Sequence, residues 1–203
     1  MMLTYTGKIL NPTAPHTMEF DIEDIAHALA CVNRFAGHAA EPISVAQHSV
    51  YVAMLCPEHC RLQGLLHDAS EAYIGDVTKW LKQSDFYSGH RLLENLMQQY
   101  IYERFQCRIV QAREVTDADW LMVRFEGEMA FGQQVWRSHA DRYGDKLLPI
   151  TPAEREQVDA VVSGWYPWHW RFARARFLHL FSMLYTEPQA SAAASGAPPA
   201  SPP

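Results

Sequence analysis

The chain has 203 residues, 48% hydrophobic and 20% charged, which is enough apolar material for one cored domain and too much for a disordered chain. Lys and Arg number 17 against 23 Asp and Glu, a formal charge of −6, so a non-specific nucleic-acid binder with excess basic residues is excluded. No run reaches the roughly 18 apolar residues of a membrane-spanning helix, and residues 1–10 hold one Lys and no apolar stretch of signal-peptide type. A cytoplasmic protein with neither a nucleic-acid nor a membrane partner is expected.

In chain order, residues 1–21 carry Pro12 and Pro15 and little periodicity, which predicts a short hairpin or an irregular arm. Asp21 or Asp24 can cap a helix running towards Val32, with Ile22, Ile25, Ala26, Leu29 and Ala30 at helical spacing. Residues 33–41, with Gly37, read as a loop, and Ser44 can cap a second helix to about Leu55. Pro57 ends that segment and opens a third helix over 58–73, broken by Gly75 and Asp76, with one or two turns over 77–83.

Residues 90–105 form a long amphipathic pattern through Leu93, Leu96, Met97, Tyr100, Ile101 and Phe105. Thr116 can cap a helix over 118–139, and Thr151 followed by Pro152 opens another that ends near Gly164. The aromatic-rich stretch 165–185 predicts one more helix, partly broken near Pro167, and the Ala/Pro/Ser-rich tail 187–203 predicts disorder. No alternating strand series is visible, so the expected class is all-α, one helical domain over 1–186 with a short N-terminal arm.

Ten histidines stand out in the composition, against four cysteines. Cys56 and Cys60 flank His59 in a C-x3-C pattern, but without a second ligand pair they read as two thiols at a helix end. Three other pieces carry more. His48 lies in an otherwise apolar helix, His67-Asp68 follow Leu65 and Leu66, and Asp119 opens an apolar helix after Ala118. Buried ionisable groups are costly unless paired or metal-bound. Two imidazoles and two carboxylates make a mixed nitrogen and oxygen set, suited to a divalent ion such as Mn, Fe, Co, Ni or Zn rather than Ca.

The ordered set His48, His67-Asp68 and Asp119 resembles the HD-domain superfamily of metal-dependent phosphohydrolases. The stretch from His67-Asp68 through Glu71 to Asp76, Lys82 downstream, and Asn33-Arg34-Phe35 ahead of His48 resemble its bacterial 5′-deoxynucleotidase branch and that branch's phage relatives, over roughly residues 22–140. The resemblance implies an all-α helical bundle and His48, His67, Asp68 and Asp119 as ligands of a divalent metal (Co, Mn, Zn, Fe, Ni or Mg). It implies Glu71 orienting water or substrate, Asp76 as the acid towards the leaving oxygen, and Arg34 with Lys82 or Lys79 on phosphate. The branch often has tryptophan after the arginine, packed on the sugar; here Phe35 stands there and has no N–H donor.

Each position also has a plainer reading. His48 can be a hydrogen-bonded core histidine, and Asp119 or the nearby Asp117 a helix N-terminal charge. Glu71 can be a solvated carboxylate, Asp76 a turn residue, Arg34 a surface ion pair, and Lys79 and Lys82 exposed cations. The expected activity is hydrolysis of a deoxynucleoside 5′-monophosphate to nucleoside and phosphate. The alternatives are release of triphosphate from a deoxynucleoside triphosphate, with dATP cleavage known among the phage relatives, and a non-catalytic nucleotide-binding module. Apolar helix surface and the aromatic C-terminal segment predict a homo-oligomer, dimer or larger.

Overall fold

The computed structural model describes residues 1–143 and 148–186, and it is mostly helical, as an all-α chain should be. The expected tail, residues 187–203, lies outside the described residues. At the N-terminus β1 (Met2–Leu3) pairs antiparallel with β2 (Ile9–Leu10), Met2 opposite Leu10. Thr6 donates to Asp24 through its backbone N–H (2.7 Å) and its hydroxyl (2.9 Å), fastening this hairpin to α1 (Ile22–Cys31). Asp24 is thus occupied, and Asp21 caps α1 by accepting from the Glu23 N–H.

The centre of the molecule is α2 (Val45–Leu55), capped by Ser44, whose hydroxyl accepts from the Gln47 N–H. Every residue from Val45 to Ala53 is buried, because α1, α3 (Arg61–Leu66), α7 (Arg113–Phe131), α9 (Pro152–Val161) and α10 (Trp170–Leu184) all pack around it. A helix apolar on every side belongs in such a position. Its polar members Gln47, His48 and Ser49 therefore need internal partners.

The helix expected over 58–73 is instead interrupted. A 3-10 turn at Glu58–Cys60 precedes α3, a turn spans 67–70, and α4 (Glu71–Ile74) follows. The Gln98 side chain explains the break. It accepts from the Ser70 N–H (3.0 Å) and donates to the Leu66 carbonyl (2.6 Å), taking over backbone groups that a continuous helix would pair locally. Gln98 arrives on α6 (Ser88–Arg104), which follows α5 (Lys79–Gln83).

The helix assigned to 118–139 also differs. It begins at Arg113 as α7, and Thr116 lies inside it. The Gln63 side chain, not Thr116, serves its start by accepting from the Ala112 N–H (2.8 Å). Gly132, at φ 81°, ends α7 and turns the chain into α8 (Gln133–Tyr143). Thr151 and Glu154 form a capping box at α9. The last helix starts only at Trp170, since residues 165–169 hold no regular secondary structure.

Candidate metal centre

His48 projects from the fully buried face of α2 and has no exposed surface. Its Nδ1 lies 3.0 Å from Glu126 Oε2, and its Nε2 lies 3.1 Å from Asp119 Oδ1 and 3.9 Å from Asp68 Oδ2. His67, in the turn after α3, faces it with ring centroids 5.2 Å apart. The His67 Nδ1–H donates to the Gly64 carbonyl (2.8 Å), while Nε2 lies 3.2 Å from Asp68 Oδ2 and 3.8 Å from Asp119 Oδ1. His48, His67 and Asp68 each present a ligand atom within 4.8 Å of the others and could hold a metal ion.

The residues fit such an ion in two respects. Each imidazole has Nδ1 fixed by an oxygen, one from a carboxylate and one from a backbone carbonyl, which leaves Nε2 aimed inward; metal-binding histidines are ordinarily held this way. The buried His67 Nε2 makes no well-directed hydrogen bond among the described residues and is met only by the carboxylate oxygens of Asp68 and Asp119, the surroundings a cation at that nitrogen would share. Asp119 sits on α7 with its oxygen facing both imidazoles.

The charges agree with that geometry. Burial and Arg34 push the His48 pKa down, but Glu126 and the hydrogen bonds to Asp119 and Glu126 prevail and raise it. Burial likewise opposes ionised His67, yet Asp68 and Asp119 hold its pKa well above the ordinary histidine value. Asp68 and Asp119 are driven below the carboxylate range despite burial, by the charges and hydrogen bonds of His67 and His48. The pocket is built for positive charge between its carboxylates.

Asp68 and Asp119 line one end of a cavity of ≈ 530 Å³ that also takes in Arg34, Phe35, Glu71, Asp76, Lys79 and Lys82, and His48 and His67 lie directly behind the two aspartates, so the expected site residues come together. Arg34 is placed by its N–H bond to the Ile43 carbonyl (2.8 Å) just ahead of the α2 cap. Its Nε lies 2.9 Å from Glu126 Oε2 and its Nη1 3.7 Å from Asp68 Oδ2. It is therefore no surface ion pair.

Glu71 is buried, not solvated. Its pKa is raised well above the usual value by burial and by Asp68 and Asp76, against the pull of Lys82. Lys82 bridges Glu71 (2.9 Å) and Glu94 (2.5 Å). The Lys79 ammonium sits over the Trp120 ring, 3.2 Å from its centroid. Asp76 follows Gly75, whose φ of 80° makes the turn out of α4, and burial raises its carboxyl pKa.

No family profile matches the chain. It is similar to YfdR of Escherichia coli (strain K12), an uncharacterized protein, with 32% identity over 123 residues, 61% of this chain and 68% of that one. It is also similar to RCAP_rcc00048 of Rhodobacter capsulatus, likewise uncharacterized, with 32% identity over 158 residues, 71% of this chain and 79% of that one. The chain belongs to the family of these two proteins. Family membership leaves the chemistry of the site to be argued from its residues, and no described helix is long and apolar enough to cross a membrane.

Sequence reasoning missed Glu126, which touches both His48 and Arg34. Its signal was present: it lies seven residues after Asp119, two turns along α7, on a buried face where a carboxylate needs a reason. Glu94 had no such signal, since it sits on the polar side of an amphipathic helix and meets Lys82 only through the fold.

Proposed function

We propose that the chain is a metal-dependent phosphohydrolase of the HD-domain type, acting on the 5′-phosphate ester of deoxynucleoside monophosphates. The observation that supports it most is the pair of buried histidines whose Nδ1 atoms are tied back and whose Nε2 atoms converge with Asp68 and Asp119 beside a cavity. His48, His67, Asp68 and Asp119 would hold a divalent ion, with the two imidazoles favouring Mn, Fe, Co, Ni or Zn over Ca. A bound ion would supply Lewis-acid activation of water and of the phosphoryl group.

The chain's own groups do the rest. Arg34, oriented through Nε by Glu126, turns its remaining N–H groups to the cavity and neutralises charge on the non-bridging phosphate oxygens. Glu71, partnered by Lys82, orients the attacking water or the substrate. Asp76, whose pKa burial raises, stands on the cavity as the acid towards the leaving 5′-oxygen.

Three cavity cations, Arg34, Lys79 and Lys82, face four carboxylates, Asp68, Glu71, Asp76 and Asp119. This balance suits a monophosphate better than a triphosphate with its added negative charge. The test is metal content and hydrolysis of a mono- and triphosphate panel for the wild type and His67→Ala/Asp68→Ala. Loss of metal together with phosphate release is expected. Full activity of a metal-free double variant ends the reading, and release of triphosphate moves the substrate to the triphosphate class.

A further inference from the structure

Beside the charged end of the cavity lies a second hydrophobic cluster, separate from the main core: Trp136 with Phe35, Trp120, Val123 and Phe131. All five line the cavity. Phe35 meets Phe131 and Trp136 edge-on at 5.3 and 6.2 Å, and Phe131 and Trp136 stack at 6.1 Å with their planes 7° apart. Together they form an aromatic wall of the cavity.

Two local features hold this wall in place. Phe35 and Ala36 have φ of 56° and 51°, left-handed backbone that residues with a Cβ seldom adopt and that is retained where something requires it. Gly127 lies under the indole of Trp136, where a Cβ would stand 2.4–2.5 Å from three ring atoms. Only glycine lets Trp136 lie flat against α7. The Trp136 Nε1–H is buried without a hydrogen-bond partner among the described residues. The wall starts one residue from the charged groups, since Phe35 follows Arg34 and Trp120 follows Asp119. A ligand spanning both ends carries phosphate at one end and a flat aromatic ring at the other.

We propose that this aromatic wall is the base-binding side of the site: the half-buried rings of Phe35 and Phe131 meet the heterocyclic base of the substrate, and Trp136, itself buried on Gly127, is the positioning residue that holds them, so that nucleotides are selected over ring-free phosphate esters. This rests on the phosphohydrolase reading and adds which end of the substrate is read. Base-on-aromatic stacking is tolerant of base identity, so all four bases are accepted with modest preference.

The experiment compares kcat and KM for deoxynucleoside 5′-monophosphates and for 2-deoxyribose 5-phosphate in wild type, Trp136→Leu, Trp136→Phe and Gly127→Ala. In the wild type the nucleotides have the higher kcat/KM. In Trp136→Leu the ratio of nucleotide to ring-free kcat/KM falls about tenfold, through KM. Gly127→Ala, which drives the indole off α7, lowers the ratio too, and Trp136→Phe restores part of it. Equal losses for both esters, or no wild-type preference for the nucleotide, overturn the proposal while leaving the hydrolase reading intact. If the wild type hydrolyses neither ester, calorimetric titration with the free nucleoside decides. Nucleoside binding weakened by Trp136→Leu upholds the aromatic wall and drops the hydrolase reading, and absence of binding overturns both. If Trp136→Leu does not fold, Gly127→Ala and Trp136→Phe carry the comparison.

Discussion

One carboxylate oxygen, Glu126 Oε2, lies 3.0 Å from His48 Nδ1 and 2.9 Å from Arg34 Nε, and Glu126 itself is wholly buried. It fixes which nitrogen of His48 is left for an ion and which edge of Arg34 meets the cavity. Glu126→Gln is expected to weaken metal binding about 10- to 100-fold, as loss of a partner behind a ligating histidine does. Measured at saturating metal, its KM for the phosphate ester also rises. Calorimetry with Mn²⁺ and steady-state kinetics check the two effects, and a variant with unchanged metal affinity contradicts this role.

The metal-free protein should have a narrow stability optimum. His48 and His67 have raised folded pKa values, so their contribution is full below the ordinary histidine value of about 6.5 and is lost as pH climbs through the raised values. Asp68 and Asp119 are lowered, so theirs is present above the ordinary carboxylate value of about 4 and is lost as pH falls through the depressed ones. Tm in a chelator is expected to peak between about pH 4 and 6.5. Added metal competes with the imidazole protons, so its stabilising effect grows as pH rises. Thermal melts across pH, with chelator and with Mn²⁺, give both curves.

Lys82 stands between two carboxylates, one of them in the buried Glu71. Lys82→Met leaves Glu71 to be neutralised in place, which is expected to cost about 1–3 kcal/mol in urea unfolding at neutral pH. Adding Glu71→Gln should recover part of that loss, whereas additive losses would show that the two do not interact.

Gly64 is a tight point behind the metal centre. A Cβ there would stand 2.9 Å from Cys56 Sγ and 3.2 Å from Ala53 Cα, and the Gly64 carbonyl holds His67 Nδ1. Gly64→Ala is expected to destabilise by about 1–3 kcal/mol. By shifting α3 against α2 it also weakens metal binding, which metal analysis of the purified variant measures.

Most helices, and the meeting of His48 with His67-Asp68, were legible because local rules govern them. Ser44, Asp21 and Thr151 cap where expected, and the polar residues interrupting apolar runs, His48 and His67-Asp68, meet in one place. What the sequence hid was carried by long-range side-chain bonds. Gln98 divides the segment 58–73, and Gln63 rather than Thr116 serves the start of α7. Neither glutamine differs locally from a solvated one. The competing plain readings of Arg34 and Glu71 failed for the same reason, since burial is decided by what packs over a residue from elsewhere in the chain.

Gln47, next to His48, joins its side-chain amide to the irregular segment before α10: it donates to the Tyr166 carbonyl (2.9 Å) and accepts from the Trp168 N–H (2.8 Å). The helix bearing His48 is thus buttressed from behind by residues some 120 positions later in the chain. A chain truncated before Tyr166 would carry His48, His67, Asp68 and Asp119 and still lack the two hydrogen bonds that hold Gln47, and with it the helix beneath His48, from behind.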